Sequence, residues 1–286
     1  MNRNLLNTTL LAVFILFTTS VFAQGFITAG DFMKIYKDGK TLVISAQKDK
    51  NYEISHITNS VFIDHKSLYK DGAIEGLIKS PADMAKIFGS KGVSNTSKIV
   101  IYDDGENKYA GRLYWILKYL GANDVQILHK DLTEWRKSRI PITNQPTSIK
   151  AATFTPNVNA SILCDLDFVK VHLKDVNTVV VDVRAADEFK GTSDDPKSDG
   201  HLPGAVNMEW KLLTNENGSV KSVAELQAIL KKYGITPEKT IVFYCTTSVR
   251  AGLPYLILTQ ILGYKNVKVY DGAYNEWKAK GNSLVK

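Results

Sequence analysis

Apolar and polar positions fall along this chain in blocks of two kinds. Short β-branched runs predict buried strands: Thr178-Val179-Val180-Val181-Asp182, Ile241-Val242-Phe243-Tyr244 and Val267-Lys268-Val269-Tyr270. Between them lie stretches of helical period. Residues 222–233 form one, with Ser222 as a plausible N-cap and Glu225 three positions on. The amphipathic stretch 253–262 is another. Near-continuous Val/Ile runs between helices predict an α/β fold with a mainly parallel sheet and helices on both faces. In such sheets ligands bind beyond the carboxyl ends of the strands.

The pattern occurs twice. Ile99-Val100-Ile101-Tyr102-Asp103-Asp104 matches Ile241-Val242-Phe243-Tyr244-Cys245-Thr246. Gly121-Ala122-Asn123-Asp124-Val125 matches Gly263-Tyr264-Lys265-Asn266-Val267, and Asp131-Leu132-Thr133-Glu134-Trp135 matches Ala273-Tyr274-Asn275-Glu276-Trp277. All three share an offset of 142 residues, which indicates a duplicated domain rather than an array of short repeats. Trp135 and Trp277 hold matching places and read as core. Residues between Pro141 and Pro156 carry Pro, Thr, Ser and Asn without a period, and read as a linker. The expected division is residues 24–140, a linker over 141–158, and 159–286.

The N-terminus is separate. A short basic start at Arg3, an apolar run from Leu10 to Phe17 and Val21-Phe22-Ala23 before Gln24 predict a signal peptide over residues 1–23. That implies export: periplasmic in a Gram-negative bacterium, secreted otherwise. No second long apolar run follows, so no membrane association is expected after cleavage. The formal charge of +7 drops to +6 when Arg3 is removed. The positive residues are scattered, with no basic helix or arm for nucleic acid. A modest excess of positive charge favours small anionic substrates.

Cys245 is the candidate for chemistry. A strand ends at the thiol, a polar turn Thr246-Thr247-Ser248-Val249-Arg250 follows, and a helix begins. That places sulfur where free backbone N–H groups stabilise anions, thiolates included. Arg184, at the end of another strand, can hold a sulfonate or carboxylate through two parallel N–H bonds. Asp182 reads as a brace for Arg184 or the loop. The one other cysteine, Cys164, could form a disulfide in an exported protein, but reads rather as a small packed apolar residue. His65, His129 and His172 show no metal spacing relative to the cysteines, so no metal is expected.

At this point the chain resembles the tandem-domain rhodanese family of thiosulfate and 3-mercaptopyruvate sulfurtransferases. Three stretches carry the resemblance: Val181-Asp182-Val183-Arg184 with Glu188-Phe189-Lys190-Gly191; Gly200-His201-Leu202-Pro203-Gly204-Ala205-Val206-Asn207; and the loop from Cys245 to Arg250. It covers nearly all of the chain after the signal peptide. It implies two tandem rhodanese-like domains, of which the first is catalytically silent. There Ser55-His56-Ile57 stands for Gly-His-Ile, Leu42-Val43-Ile44-Ser45 lacks the Asp-x-Arg pattern, Asp103 holds the cysteine position and Lys108 stands opposite Arg250.

By the resemblance, Cys245 takes a sulfane sulfur as a persulfide and passes it on, with no cofactor. Thr246, Thr247, Ser248, Val249 and Arg250 would cradle the sulfur and the donor, and Arg184 would bind the donor. His201 would fix a turn. The implied partners are a small anionic sulfur donor and a thiol or cyanide acceptor, a protein thiol among the options, with the protein a monomer. The loop only narrowly favours thiosulfate: Arg250 echoes bacterial thiosulfate-type members, whereas Ser248-Val249 echoes the Cys-Gly-Ser-Gly-Val of mercaptopyruvate-type ones. Two rivals stand beside this reading. A cysteine phosphatase would place five residues between Cys and Arg, and this loop has four. A non-enzymatic module would bind or deliver persulfide to a partner.

Overall fold

The computed structural model describes residues 25–195 and 198–286; the expected signal peptide lies outside the described residues. The first unit contains β1 (Phe26–Ile27), β2 (Thr41–Ser45), β3 (His56–Ile57), β4 (Val61–Phe62), β5 (Lys98–Tyr102), β6 (Asp124–Leu128) and β7 (Ile142–Thr143). The second contains β8 (Leu163–Cys164), β9 (Thr178–Asp182), β10 (Val206–Asn207), β11 (Thr240–Tyr244) and β12 (Val267–Tyr270). Each unit has a five-stranded parallel sheet, ordered β1-β6-β5-β2-β4 and β8-β12-β11-β9-β10, so the two topologies coincide strand for strand. The repeat read in the sequence is a repeat of architecture.

Burial follows from the pleat, because successive residues face opposite sides of a sheet. Val179, Val181, Ile241, Phe243, Val267 and Val269 enter one core, while Val180, Val242, Tyr244 and Tyr270 enter another. In the first sheet Ile44, Ile99, Ile101 and Ile127 face the former core, and Val43, Val100, Tyr102 and Leu128 face a third. One core therefore takes a face from both sheets. Between the sheets lie the helix Lys108–Tyr119 and its counterpart Gly252–Leu256. Trp135 and Trp277 are buried, and each indole N–H donates to a carbonyl, of His129 and Ser283 respectively.

The helix expected over 222–233 spans Val223–Lys232, and the Ser222 and Glu225 side chains cap it reciprocally. Two expectations need correction. The stretch 253–262 is not one regular helix: Gly252–Leu256 gives way to a π turn over Ile257–Ile261. The Thr259 hydroxyl donates to the Tyr255 carbonyl at 2.8 Å, competing with the backbone ladder where the π turn forms. The stretch 141–158 is not a free linker. Its β7 pairs antiparallel with β3, the Ala152 and Asn157 amides donate to Gly89 and Leu120, and Phe154 is buried against Phe88. One aromatic and a few backbone bonds anchor a segment whose composition shows no period.

Cys164 and Cys245 are both free. Cys164 ends β8 and Cys245 directly follows β11, with β12 between the two strands, so their Cα atoms lie about two strand spacings, ~10 Å, apart, beyond the reach of a disulfide.

The two central helices touch at glycine. A Cβ on Gly252 would stand 2.3 Å from the Gly111 carbonyl carbon, and one on Gly111 would stand 2.7 Å from the Leu253 nitrogen. Backbone meets backbone there, so no side chain can yield. Gly252→Ala should therefore lower the unfolding free energy by about 1–3 kcal/mol, the usual overpacking cost. Urea denaturation checks this, and an unchanged midpoint would show that the helix contact is loose.

Candidate active site

The carboxyl ends of β9, β10, β11 and β12 converge on the loop after β11. Cys245 is the first residue of that loop and has no exposed surface. The following helix Ala273–Ala279 ties the loop down: the Tyr274 amide donates to the Cys245 carbonyl at 3.0 Å and the Asn275 amide to the Thr246 carbonyl at 3.2 Å. Ser248 adopts φ +54°, the left-handed region uncommon for a residue with a Cβ. Among the described residues, the amides of residues 246–250 have no hydrogen-bond acceptor. A partly buried run of free N–H groups beside a thiol is an arrangement that favours an anion there.

The corresponding loop in the first unit has the opposite condition. Asp103 stands at the cysteine position and is buried. Its carboxylate accepts from the amides of Gly105 (2.8 Å), Asn107 (3.0 Å), Tyr109 (3.1 Å) and Ala110 (3.2 Å). Burial raises the pKa of this carboxyl, and the four amides work against that rise. The first loop thus keeps an anion cradle and fills it with its own side chain.

Arg250 closes the second loop. Its guanidinium donates to Glu188 in a bidentate pair, at 2.5 and 2.9 Å, and to the Thr246 hydroxyl at 2.8 Å. Burial alone would weaken its charge, but Glu188 and Cys245 more than offset that. Burial likewise raises the Glu188 pKa, and Arg250 overrides it, so the carboxyl titrates below its ordinary range. Thr247 faces the first unit: a Cβ on Gly76 would stand 2.7 Å from its Cβ. Val249 is buried.

Arg184 requires a correction. The expected donor-binding fork is fully enclosed and already filled. Nε and Nη2 donate to Asp182 at 2.6–3.0 Å, Nη2 also donates to the Gly200 carbonyl at 2.8 Å, and the Tyr274 ring lies 4.2 Å from the guanidinium carbon. Only Nη1 lacks a partner. The Asp182 carboxylate and the Gly200 carbonyl take up Nε and Nη2, which leaves no free two-pronged fork. Two residues along the same strand end bring this about, so Asp182 and Arg184 brace the turn into the Gly200–Leu202 segment. His201 sits in that turn, its Nδ1 2.8 Å from the Phe189 carbonyl and its ring stacked on Phe189.

Two contributors were missed in the sequence. Glu188 was quoted only as part of a motif. Arg112, from the first unit, is fully buried, and its Nη1 donates to the Ser248 hydroxyl at 2.9 Å. A signal for it existed: one cation set within the apolar helix Ala110-Gly111-Arg112-Leu113-Tyr114-Trp115. Cys164 lies on the opposite side of its sheet's edge and lines an 820 Å³ cavity between the units, which Cys245 does not line. Burial pushes the Cys164 thiol up to about 12. Among the described residues no group of three His, Cys, Asp or Glu side chains could hold a metal, and no helix is long and apolar enough to cross a membrane.

Comparison with known proteins finds a family model, described as rhodanese-like domain, matching residues 28–138 and again 165–280. A sulfur carrier protein, TtuD, of Thermus thermophilus is 32% identical over 254 residues, covering 84% of this chain and 89% of that protein. A putative thiosulfate sulfurtransferase of Mycolicibacterium smegmatis is 28% identical over 251 residues, covering 84% and 90%. Among solved structures, SseA from Escherichia coli, described with the 3-mercaptopyruvate sulfotransferases, superposes with a TM-score of 0.78 at 25% identity, covering 87% of this chain and 98% of that one.

The filled cradle of the first unit has a measurable consequence. Asp103→Ala would leave four amides, two of them buried, without an acceptor, and the expected loss of stability is about 3 kcal/mol. Thermal unfolding of the variant checks this; a loss under 1 kcal/mol would mean that Asp103 is not what satisfies that loop.

Proposed function

The chain belongs to the rhodanese-like domain family, with one copy of the domain in each half, and from that premise we propose that it is a sulfurtransferase moving sulfane sulfur from thiosulfate to a thiophilic acceptor. The observation that carries the reading is the loop after Cys245, whose amides at residues 246–250 are free of acceptors while Arg250, held by Glu188 and Thr246, closes it. The Cys245 thiolate attacks the outer sulfur of thiosulfate. A bond forms between Sγ and that sulfur, the sulfur–sulfur bond of the donor breaks, and sulfite leaves with the electron pair. Cyanide or a thiolate then attacks the outer persulfide sulfur, and Cys245 departs as thiolate. The free amides and Arg250 stabilise the anion in both thiolate and persulfide forms.

Cys245 has no exposed surface, so donor access requires the loop to open, and the closed loop keeps water from the persulfide. A second reading has its own support. The relative named as a sulfur carrier protein favours delivery of the sulfur to a protein thiol over release onto a small acceptor. Mercaptopyruvate remains the alternative donor, in keeping with the SseA likeness. The N-terminal pattern supports export, to the periplasm or the medium, and the protein is proposed to act as a monomer.

Intact mass after thiosulfate treatment tests the chemistry. A gain of one sulfur atom is expected, absent in Cys245→Ala; no gain with any sulfane donor would leave a binding module. The ratio of kcat/KM for thiosulfate and mercaptopyruvate decides the donor, and a large mercaptopyruvate preference would reverse the choice made here.

Glu188 neutralises the cation that closes the cysteine loop. Glu188→Gln keeps a hydrogen-bond acceptor for Arg250 but removes the opposing charge. Its KM for thiosulfate should fall by about threefold or more, the scale of one partly screened charge. A raised KM would show that Glu188 acts mainly by holding Arg250 in place.

A further inference from the structure

The first half has no nucleophile, yet it sends one buried cation into the loop that holds the nucleophile of the second. We infer that Arg112 is a positioning residue for sulfur transfer, fixing the shape of the Cys245–Arg250 loop through the Ser248 hydroxyl; this rests on the reading of Cys245 as sulfur carrier.

The geometry is specific. Arg112 spans two elements: Nη1 donates to Ser248 Oγ at 2.9 Å and Nη2 to the Gly76 carbonyl at 2.5 Å. Its guanidinium lies 4.6 Å from the Trp115 ring centroid and 5.4 Å from that of Tyr69, so its plane is fixed on both sides. The nearest carboxylate, Asp271, is 3.6 Å away, a longer contact than either hydrogen bond. A fully buried guanidinium is costly unless its donors are used, and Nε has no partner. A group that served only to hold the two units together would not need to end on the most strained residue of the cysteine loop.

Ser248 is that residue. At φ +54° it stores about 1 kcal/mol of backbone strain relative to glycine. Its hydroxyl has two partners, accepting from Arg112 and donating to the Asp271 carbonyl at 2.7 Å. The hydroxyl is therefore pinned between the first unit and the end of β12. The kink at Ser248 turns the amides on either side of it, which are the ones left free around Cys245. Gly76 completes the clamp. Its carbonyl holds Arg112, and its Cα, at φ +105°, packs against Thr247 with no room for a Cβ.

Ser248→Gly separates this inference from its simplest rival. Glycine adopts φ +54° without strain, so if the backbone alone sets the loop, this variant loads sulfur as fast as wild type or faster. If the link to Arg112 sets it, loading slows. In single-turnover reactions with thiosulfate, followed by intact mass, Ser248→Gly and Arg112→Lys should each load on the order of a hundredfold more slowly, the scale of a misplaced reacting group. KM for thiosulfate should stay within about twofold, because Arg112 binds the loop rather than the donor. Both variants should melt within a few degrees of wild type. The double variant should be no slower than the slower single variant, because both break one link.

Wild-type loading in Ser248→Gly, or additive losses in the double variant, overturns the inference and leaves the sulfurtransferase reading intact. If Arg112→Lys does not fold, Ser248→Gly decides alone. If wild type itself gains no sulfur, the reading fails and this inference fails with it.

Discussion

A loop of free backbone N–H groups at the carboxyl end of a parallel sheet must be given an anion, because buried donors left unsatisfied are expensive. The rest of this structure turns on the two answers given to that requirement. In the first half the anion is built in: the Asp103 carboxylate accepts from four amides and the loop is finished at folding. In the second half the position holds a sulfur atom, and the neighbouring amides have no acceptor among the described residues. The same backbone device serves as a fold element in one copy and as a reactive site in the other. At the end of β5 the side chain is a carboxylate that fills its cradle, and after β11 it is a thiol that leaves the amides free.

The duplication does more than leave a spare domain. One hydrophobic core takes a face from each sheet, and the helices Lys108–Tyr119 and Gly252–Leu256 meet in it without side chains between their backbones. That close approach is what lets Arg112, three residues before Trp115 on the first helix, reach the loop that precedes the second. Stability and reactivity therefore share a seam. The glycines that allow the cores to merge also set how far the first half can project into the second.

Most of the fold was legible because its signals are local. The strands announced themselves by β-branched runs, the helix Val223–Lys232 by Ser222 and Glu225, and the duplication by a constant offset through β5 and β11. Cys245 was legible for the same reason, since a strand end followed by a polar turn fixes where the residue sits. What failed was partner choice. Asp182 was read as a brace for Arg184 or the loop, but the linear order does not show that this brace, with the Gly200 carbonyl, takes up most of the guanidinium's donors. Arg112 was passed over because its partners Ser248 and Asp271 lie far along the chain and in the other unit. The anchoring of residues 141–158 was invisible for a related reason: backbone bonds to Gly89 and Leu120 have no composition.

The correction at Arg184 changes how the site's electrostatics must be understood. Arg184 is paired with Asp182, Arg250 with Glu188, and Arg112 faces Asp271. The cations around the loop are thus largely neutralised, and the field that remains at Cys245 comes from oriented amides and from what Arg250 retains. Dipole fields fall off faster than those of charges, so this site draws little on long-range attraction and much on contact. Its strength is spent where the sulfur sits, in a closed, water-poor space where such dipoles count for most. A site built this way discriminates between donors by whether the transferable sulfur can be brought against Sγ, and only weakly by the donor's overall charge. That is consistent with a loop whose sequence, Thr246-Thr247-Ser248-Val249, offers hydroxyls in place of the cations that a charge-selective mouth would require.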